Sequence, residues 1–383
     1  MMAAKDKREE IGMNVAAAIT GAVGLALGFV IGGLVNDGTA TPPETNGPAT
    51  ATTVDQPAAT HEKVRLRIAS TAPTTLPVIG SHGKRLEELV STMSGGDLEV
   101  RLFEPGALVP ALEVFDAVSS GSVDGGWSVS SYWAGKVPAL QFFNSVPFGP
   151  ETAEQFAWMR YGGGRELYEE IYHRYNIHPL VCWFIPQDGS GWFRKPIDSL
   201  EDFRGLKIRF LGLGGRVLEK FGASTQLLAG GDIYPALELG TIDAAEFSMP
   251  VIDEQVGFQE VAKHYYMPGW HQSASMGEAI FNLDRWNALG DQYRAMLETA
   301  CGENSLDAIA YGEAIQAPAL RSLEKDGVTI RRWPPEILDA FRQAWQEVVT
   351  DEAKADPDFA RVWESLSAFR QDYALWRQYS RLD

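Results

Sequence analysis

The chain has 383 residues, with 33 basic and 51 acidic side chains, a net charge of −18 and 45% hydrophobic residues. That length accommodates about two ordinary domains with real apolar cores. The acidic balance excludes sequence-independent nucleic-acid binding, which needs basic groups to neutralise phosphates.

Lys5, Lys7 and Arg8 precede an uncharged run from Ile11 to Asn36. At about 1.5 Å rise per residue this run can cross a hydrocarbon core of about 30 Å. It exceeds the apolar centre of a secretory signal, about 7–15 residues, so an uncleaved inner-membrane anchor competes with a cleaved export signal over residues 1–36. Gly24, Gly28 and Gly32 keep the small-residue spacing of packed membrane helices. Residues 37–62, rich in Pro, Thr and Ala, have no hydrophobic period and read as a flexible linker. The folded body therefore begins near Lys63 and works outside the cytoplasm, in the periplasm.

Val64–Ala69 alternates apolar and charged residues and reads as a strand, as does Leu98–Phe103. Gly83–Met93 and Val109–Ser119 carry helical spacing, and Gly125–Ser128 reads as a short buried strand. The pattern resumes with strands at Ile177–Phe184, Trp192–Phe193, Leu206–Leu211 and Ala244–Phe247, and helices at Arg216–Phe221 and Tyr234–Leu239. From Pro335 onward the chain is helical and charged. This rhythm predicts an α/β sandwich with a largely parallel sheet, in two lobes joined near residues 185–192 and 270–283. Cys182 and Cys301 are too few for a disulfide framework or a cysteine zinc site. They read as buried small hydrophobes, with one disulfide as the alternative.

No zinc-protease, nucleophile-elbow, P-loop or calcium-loop pattern occurs. Gly212-Leu213-Gly214-Gly215 reads as a tight strand-to-helix turn rather than a dinucleotide fingerprint. His264 and His271 flank an aromatic stretch and read as pocket-wall or surface residues before metal ligands. Arg209, alternating with Leu206, Ile208 and Phe210, sits toward the carboxyl end of a strand, where open α/β sheets bind ligands. Its planar fork matches a carboxylate, although an ordinary strand ion pair is the competing reading. Glu246 is a carboxylate among apolar residues and calls for a cation or metal partner. Trp127, Trp133, Trp183, Trp192 and Trp270 supply flat apolar walls, or core packing.

Residues 64–383 resemble the extracytoplasmic solute receptors of tripartite ATP-independent periplasmic (TRAP) transporters, and within them the subgroup that binds 2-oxo and hydroxy acids. The resemblance is carried by FEPGALVPALEVFDAVSSG (103–121), YWAGKVPALQFFNSVPFG (132–149), WMRYGGGRELY (158–168), GWFRKPIDSLEDFRGLKIR (191–209), GLGGRVLEKFGA (212–223), DAAEF (243–247), YYMPGWH (265–271) and VWESLSAFRQDYALWRQYS (362–380). It implies an α/β, two-lobed periplasmic solute-binding protein fold with shared long strands and a long C-terminal helix. The lobes would be residues 63–187 with 276–310, and 188–275, with C-terminal helices over 311–383. It places the solute carboxylate on Arg209, with Tyr132, Gln187, Asp188, Trp270 and Gln272 around it. A sodium or calcium ion would be held by Glu246 and the Phe247 carbonyl, with Asp188 and Gln272 as further ligands. Gln272 stands where the subgroup often has glutamate, and Asp188 or Gln187 where it often has glutamine.

The resemblance implies no enzyme activity, a permease partner and a homodimer formed through the C-terminal helices. The aromatic helix Phe359–Trp376 equally fits packing on its own lobes. A metal-free dicarboxylate receptor, a tethered sensor domain and an α/β enzyme are the alternative functions.

Overall fold

The computed structural model describes residues 63–381; the segment 1–36 and the linker 37–62 lie outside the described residues. Two sheets are present among those residues. The first contains β1 (Val64–Ser70), β2 (Leu98–Phe103), β3 (Gly125–Ser128) and β4 (Ile177–Ile185). The second is built from β5 (Gly191–Phe193), β6 (Lys207–Arg209), β7 (Ser224–Gln226), β8 (Ala244–Ala245) and β9 (His264–Tyr266). β10 (Ser275–Asn282) returns to the first sheet and β11 (Thr329–Arg331) to the second. Strand order is β2-β1-β3-β10-β4 in the first and β11-β9-β5-β8-β6-β7 in the second.

The sheets are mixed, not largely parallel. β10 runs antiparallel to β3 and β4, and β5 antiparallel to β8 and β9. The reason is the path of the chain. It leaves the first sheet after β4 through residues 186–190, enters the second as β5, and comes back through 267–274 from β9 to β10. A chain that crosses and returns beside itself must run antiparallel on both sides. The second joining segment is shorter than expected, because 275–282 is strand. A third crossing is the helix Asp291–Lys325, which packs on β4 and on the helix Ser81–Met93 before leading into β11. It runs unbroken through residues 310 and 311.

Alternation on β2 follows its burial, with Leu98, Val100 and Leu102 inside and Glu99 and Arg101 outside. β10 is buried at every position because helices cover both faces of its sheet. Cys182 of β4 and Cys301 of the long helix form a disulfide. The two elements pack together, so the alternative reading of the cysteines is the one realised. Asn304, one helical turn further on, donates to the carbonyls of His82 and Cys182 at 3.1 and 3.0 Å.

The last two helices bridge the lobes. In Pro335–Ala355, Phe341 meets Phe203 and Phe221, each at 5.5 Å between ring centroids. In Pro357–Ser380, Phe359 and Trp363 pack on Phe142 of the first lobe at 4.4 and 5.6 Å. The start of that helix thus packs on its own chain, while Leu375, Trp376 and Tyr379 near its end are exposed.

β10 also carries a buried carboxylate. Glu278 accepts from Trp133 Nε1 at 3.1 Å, from Tyr172 at 2.7 Å and from Tyr168. Burial pushes its pKa up to about 7, although the three donors pull it down. The folded state therefore holds this proton more tightly than the unfolded chain, whose value is near 4.5. Stability should fall as pH rises between those two values, by about 3 kcal/mol in all. Urea unfolding across pH 4.5–7.5 should show Glu278→Gln removing most of that fall; a variant with the wild-type slope would contradict the assignment.

Candidate functional site

β6 ends at Arg209, whose neighbour across the sheet is Ala245 of β8 in parallel register. The next residue, Glu246, therefore lands beside the guanidinium. Both side chains are fully buried. Arg209 Nη1 donates to Glu246 Oε2 at 2.8 Å and to the Glu246 carbonyl at 2.5 Å, and Nε reaches the Leu228 carbonyl at 3.4 Å. The Phe247 ring lies 5.5 Å from the guanidinium carbon. The strand ion pair considered from the sequence is thus present, yet it occupies only one arm. The guanidinium also reaches the Tyr132 hydroxyl, and Arg209 lines a cavity of ≈ 50 Å³ between the lobes. Thr71, Trp127, Tyr132 and Trp183 line it from the first lobe, and Leu211, Gly230 and Phe247 from the second. Gln272 on the return crossing and Ser275 at the start of β10 close it.

Negative charge exceeds positive charge here. Burial pushes the Glu246 pKa up, but Arg209, His271 and the Leu211 N–H (3.0 Å) outweigh it, so Glu246 stays below its ordinary value. Asp188, on the outward crossing, is fully buried, and burial with the charges of Glu246 and Asp253 lifts its pKa well above the ordinary range. Gln272 Nε2 donates to Asp188 Oδ2. Three buried acceptor oxygens remain without a hydrogen bond: Glu246 Oε1, Asp188 Oδ1 and Gln272 Oε1. Leaving such groups unpaired costs about 1–3 kcal/mol each. The Phe247 carbonyl also accepts no hydrogen bond among the described residues. This is an all-oxygen donor set, which suits sodium or calcium. Among the described residues no group of three or more His, Cys, Asp or Glu side chains is placed to hold a metal. The candidate set instead joins two carboxylates to an amide and a main-chain oxygen.

The other sequence-proposed residues separate. Tyr132 lines the cavity, and the Arg209 charge reaches its phenol, whose pKa burial nevertheless raises. Gln187 lies outside the cavity lining and ties the two crossings together, donating to the carbonyls of Gly269 at 2.9 Å and Gln272 at 3.0 Å. Trp270 packs away from the cavity against Phe148, Phe210 and Phe341 at 5.7, 6.0 and 4.5 Å. Of the five tryptophans, the resemblance favoured Trp270, but only Trp127 and Trp183 line the cavity.

The two histidines divide similarly. His264 accepts from Arg331 in the second sheet, whereas His271 is buried with Nε2 3.4 Å from Glu246 Oε1. Asp253, unread in the sequence, accepts from the Ser248 N–H at 3.1 Å and Trp192 Nε1 at 2.8 Å, and so fixes the turn after Glu246.

A two-lobed α/β body with a carboxylate-matched arginine in the interlobe cavity is the design of a solute receptor. The chain belongs to the family described as bacterial extracellular solute-binding protein, family 7 (DctP), whose model matches residues 68–356. This is a solute-binding family, not an enzyme family.

The chain is 36% identical over 320 residues to a monocarboxylate 2-oxoacid-binding periplasmic protein of Nostoc sp., spanning 83% of this chain and 87% of that one. A TRAP solute-binding protein of Bordetella bronchiseptica, a dimer with calcium and picolinate in one site, is similar at TM-score 0.81 and 38% identity, covering 82% and 94% of the two chains. One from Pseudoalteromonas atlantica, with sodium and pyruvate, matches at TM-score 0.80 and 33% identity, covering 83% and 97%.

The buried pair ties the arginine to the stability of the fold. Arg209→Ala strands Glu246 without its cation, so stability at pH 7 should fall by about 3–5 kcal/mol. A urea midpoint within experimental error of wild type would show that the pair carries no such burden.

Proposed function

We propose that the protein is an extracytoplasmic receptor that captures a small 2-oxo or 2-hydroxy monocarboxylate, such as pyruvate or lactate, together with a sodium or calcium ion. It delivers the solute to the membrane permease subunits of a TRAP transporter, from an N-terminal segment that serves as export signal or inner-membrane anchor. The observation that carries this reading is the set of orphaned oxygens on Glu246, Asp188 and Gln272, together with the Arg209 guanidinium that lines the cavity. Arg209 would take the solute carboxylate, and Glu246, Asp188 and Gln272 would hold an ion that supplies an electrostatic partner for oxygens at the acid head, so propionate, which lacks the 2-oxygen, should bind poorly. The relatives with pyruvate or picolinate beside sodium or calcium support the same arrangement. A metal-free dicarboxylate receptor would need a second cation across the cavity, and Arg209 is the cationic side chain lining it among the described residues.

Titrating pyruvate and propionate into chelator-treated protein, then with sodium or calcium restored, separates the readings. Pyruvate should gain at least tenfold in affinity with the ion and propionate little, and Glu246→Gln should erase the gain. Equal, ion-independent affinities would remove the metal.

The exposed end of the C-terminal helix, with Leu375, Trp376 and Tyr379, supports a homodimer. Sedimentation at micromolar concentration should give a dimer that Trp376→Glu dissociates; a monomeric wild type would contradict it.

A further inference from the structure

Trp183 of β4 stands opposite Gly277 of β10. Its indole lies flat over that glycine, and a Cβ at position 277 would overlap the ring. The other neighbour is the Trp127 ring, stacked at 6.1 Å between centroids and 28° between planes. The indole is therefore locked in place between a bare backbone and a second indole.

Both tryptophans line the cavity with Arg209, yet their N–H groups fare differently. Trp127 Nε1 donates to the Ile79 carbonyl at 2.7 Å. Trp183 Nε1 is buried with no acceptor, on a side chain only 3% exposed. Ile79, Val129 and Ile185 are apolar neighbours on that wall, which Thr71 and Tyr132 also line. The other unpartnered polar atom on the cavity's lining residues outside the candidate cation set is Ser248 Oγ. A buried donor without an acceptor is costly, and a site built around one rejects ligands that leave it unpaired.

We infer that Trp183 is a specificity-determining residue whose indole N–H donates to an oxygen on the solute's substituent, beyond the 2-position. The inference rests on the receptor reading above. Arg209 and the ion take the two ends of the 2-oxo acid head. The remainder of the solute meets a wall on which the Trp183 N–H is a rigid donor left without an acceptor. A 2-oxo acid with a hydroxymethyl substituent satisfies that donor, and one with an ethyl group of similar size does not.

Calorimetric titration of the full chain with pyruvate, 3-hydroxypyruvate and 2-oxobutyrate, with calcium present, tests this. The wild type should prefer 3-hydroxypyruvate to 2-oxobutyrate by at least tenfold, and Trp183→Phe should bring that ratio below twofold. The wild-type indole N–H resonance, assigned by its loss in Trp183→Phe or by selective labelling, should shift downfield with 3-hydroxypyruvate and not with 2-oxobutyrate. That readout needs no variant to bind. Parity between the two acids in the wild type, as when water fills the role of the solute oxygen, or an unchanged ratio in Trp183→Phe, overturns the inference while pyruvate binding stands. Failure of pyruvate itself to bind overturns both this inference and the receptor reading.

Discussion

One guanidinium surrounded by too many buried carboxylates is the constraint from which the rest of the site follows. Arg209 and Glu246 are both out of solvent and bonded at 2.8 Å. Such a pair is stable only where further hydrogen bonds complete it. The Leu211 N–H supplies one to Glu246 Oε2, and the Leu228 carbonyl takes one from Arg209. Oε1 is left over, and so are the oxygens of Asp188 and Gln272. The protein answers part of this excess by raising the pKa values of Asp188 and Asp253. In the proposed receptor a cation would answer the rest, with these oxygens as its candidate ligands.

The placement of those oxygens ties chemistry to architecture. Glu246 follows β8 in the second lobe, Asp188 lies in the outward crossing at 186–190, and Gln272 in the return crossing at 267–274. Gln187 already laces the two crossings together through main-chain carbonyls. In the proposed receptor an ion held by Glu246, Asp188 and Gln272 would join both crossings to the second lobe, while a solute on Arg209 would meet Tyr132, Trp127 and Trp183 of the first. Binding energy would then be spent across the segments that connect the lobes, where it can bias closure.

Some of this was legible in the sequence for physical reasons. β1 and β2 announce themselves because charged residues that alternate with their apolar ones face water. β10 and β4 are covered on both faces, so their apolar runs carry no period, and the return crossing was read as linker where β10 begins. Arg209 and Glu246 stood out as charges set in apolar strands. The residues themselves offered an ion pair as the competing use of Arg209, and the resemblance supplied Asp188 and Gln272, on which composition was silent. Trp270 was misplaced because its value depends on Phe210 and Phe341, brought beside it only by folding. Trp183 could not be singled out, since what distinguishes it is Gly277 on another strand. The Cys182–Cys301 bond was equally hidden until the long helix was seen against β4.

The most direct test is to grow crystals with pyruvate and calcium and collect diffraction data at a wavelength where calcium scatters anomalously. The account predicts a single anomalous peak within about 2.3–2.6 Å of oxygens from Glu246 and Asp188 or Gln272, and of two pyruvate oxygens. Pyruvate bound to Arg209 with no peak at that position would contradict it.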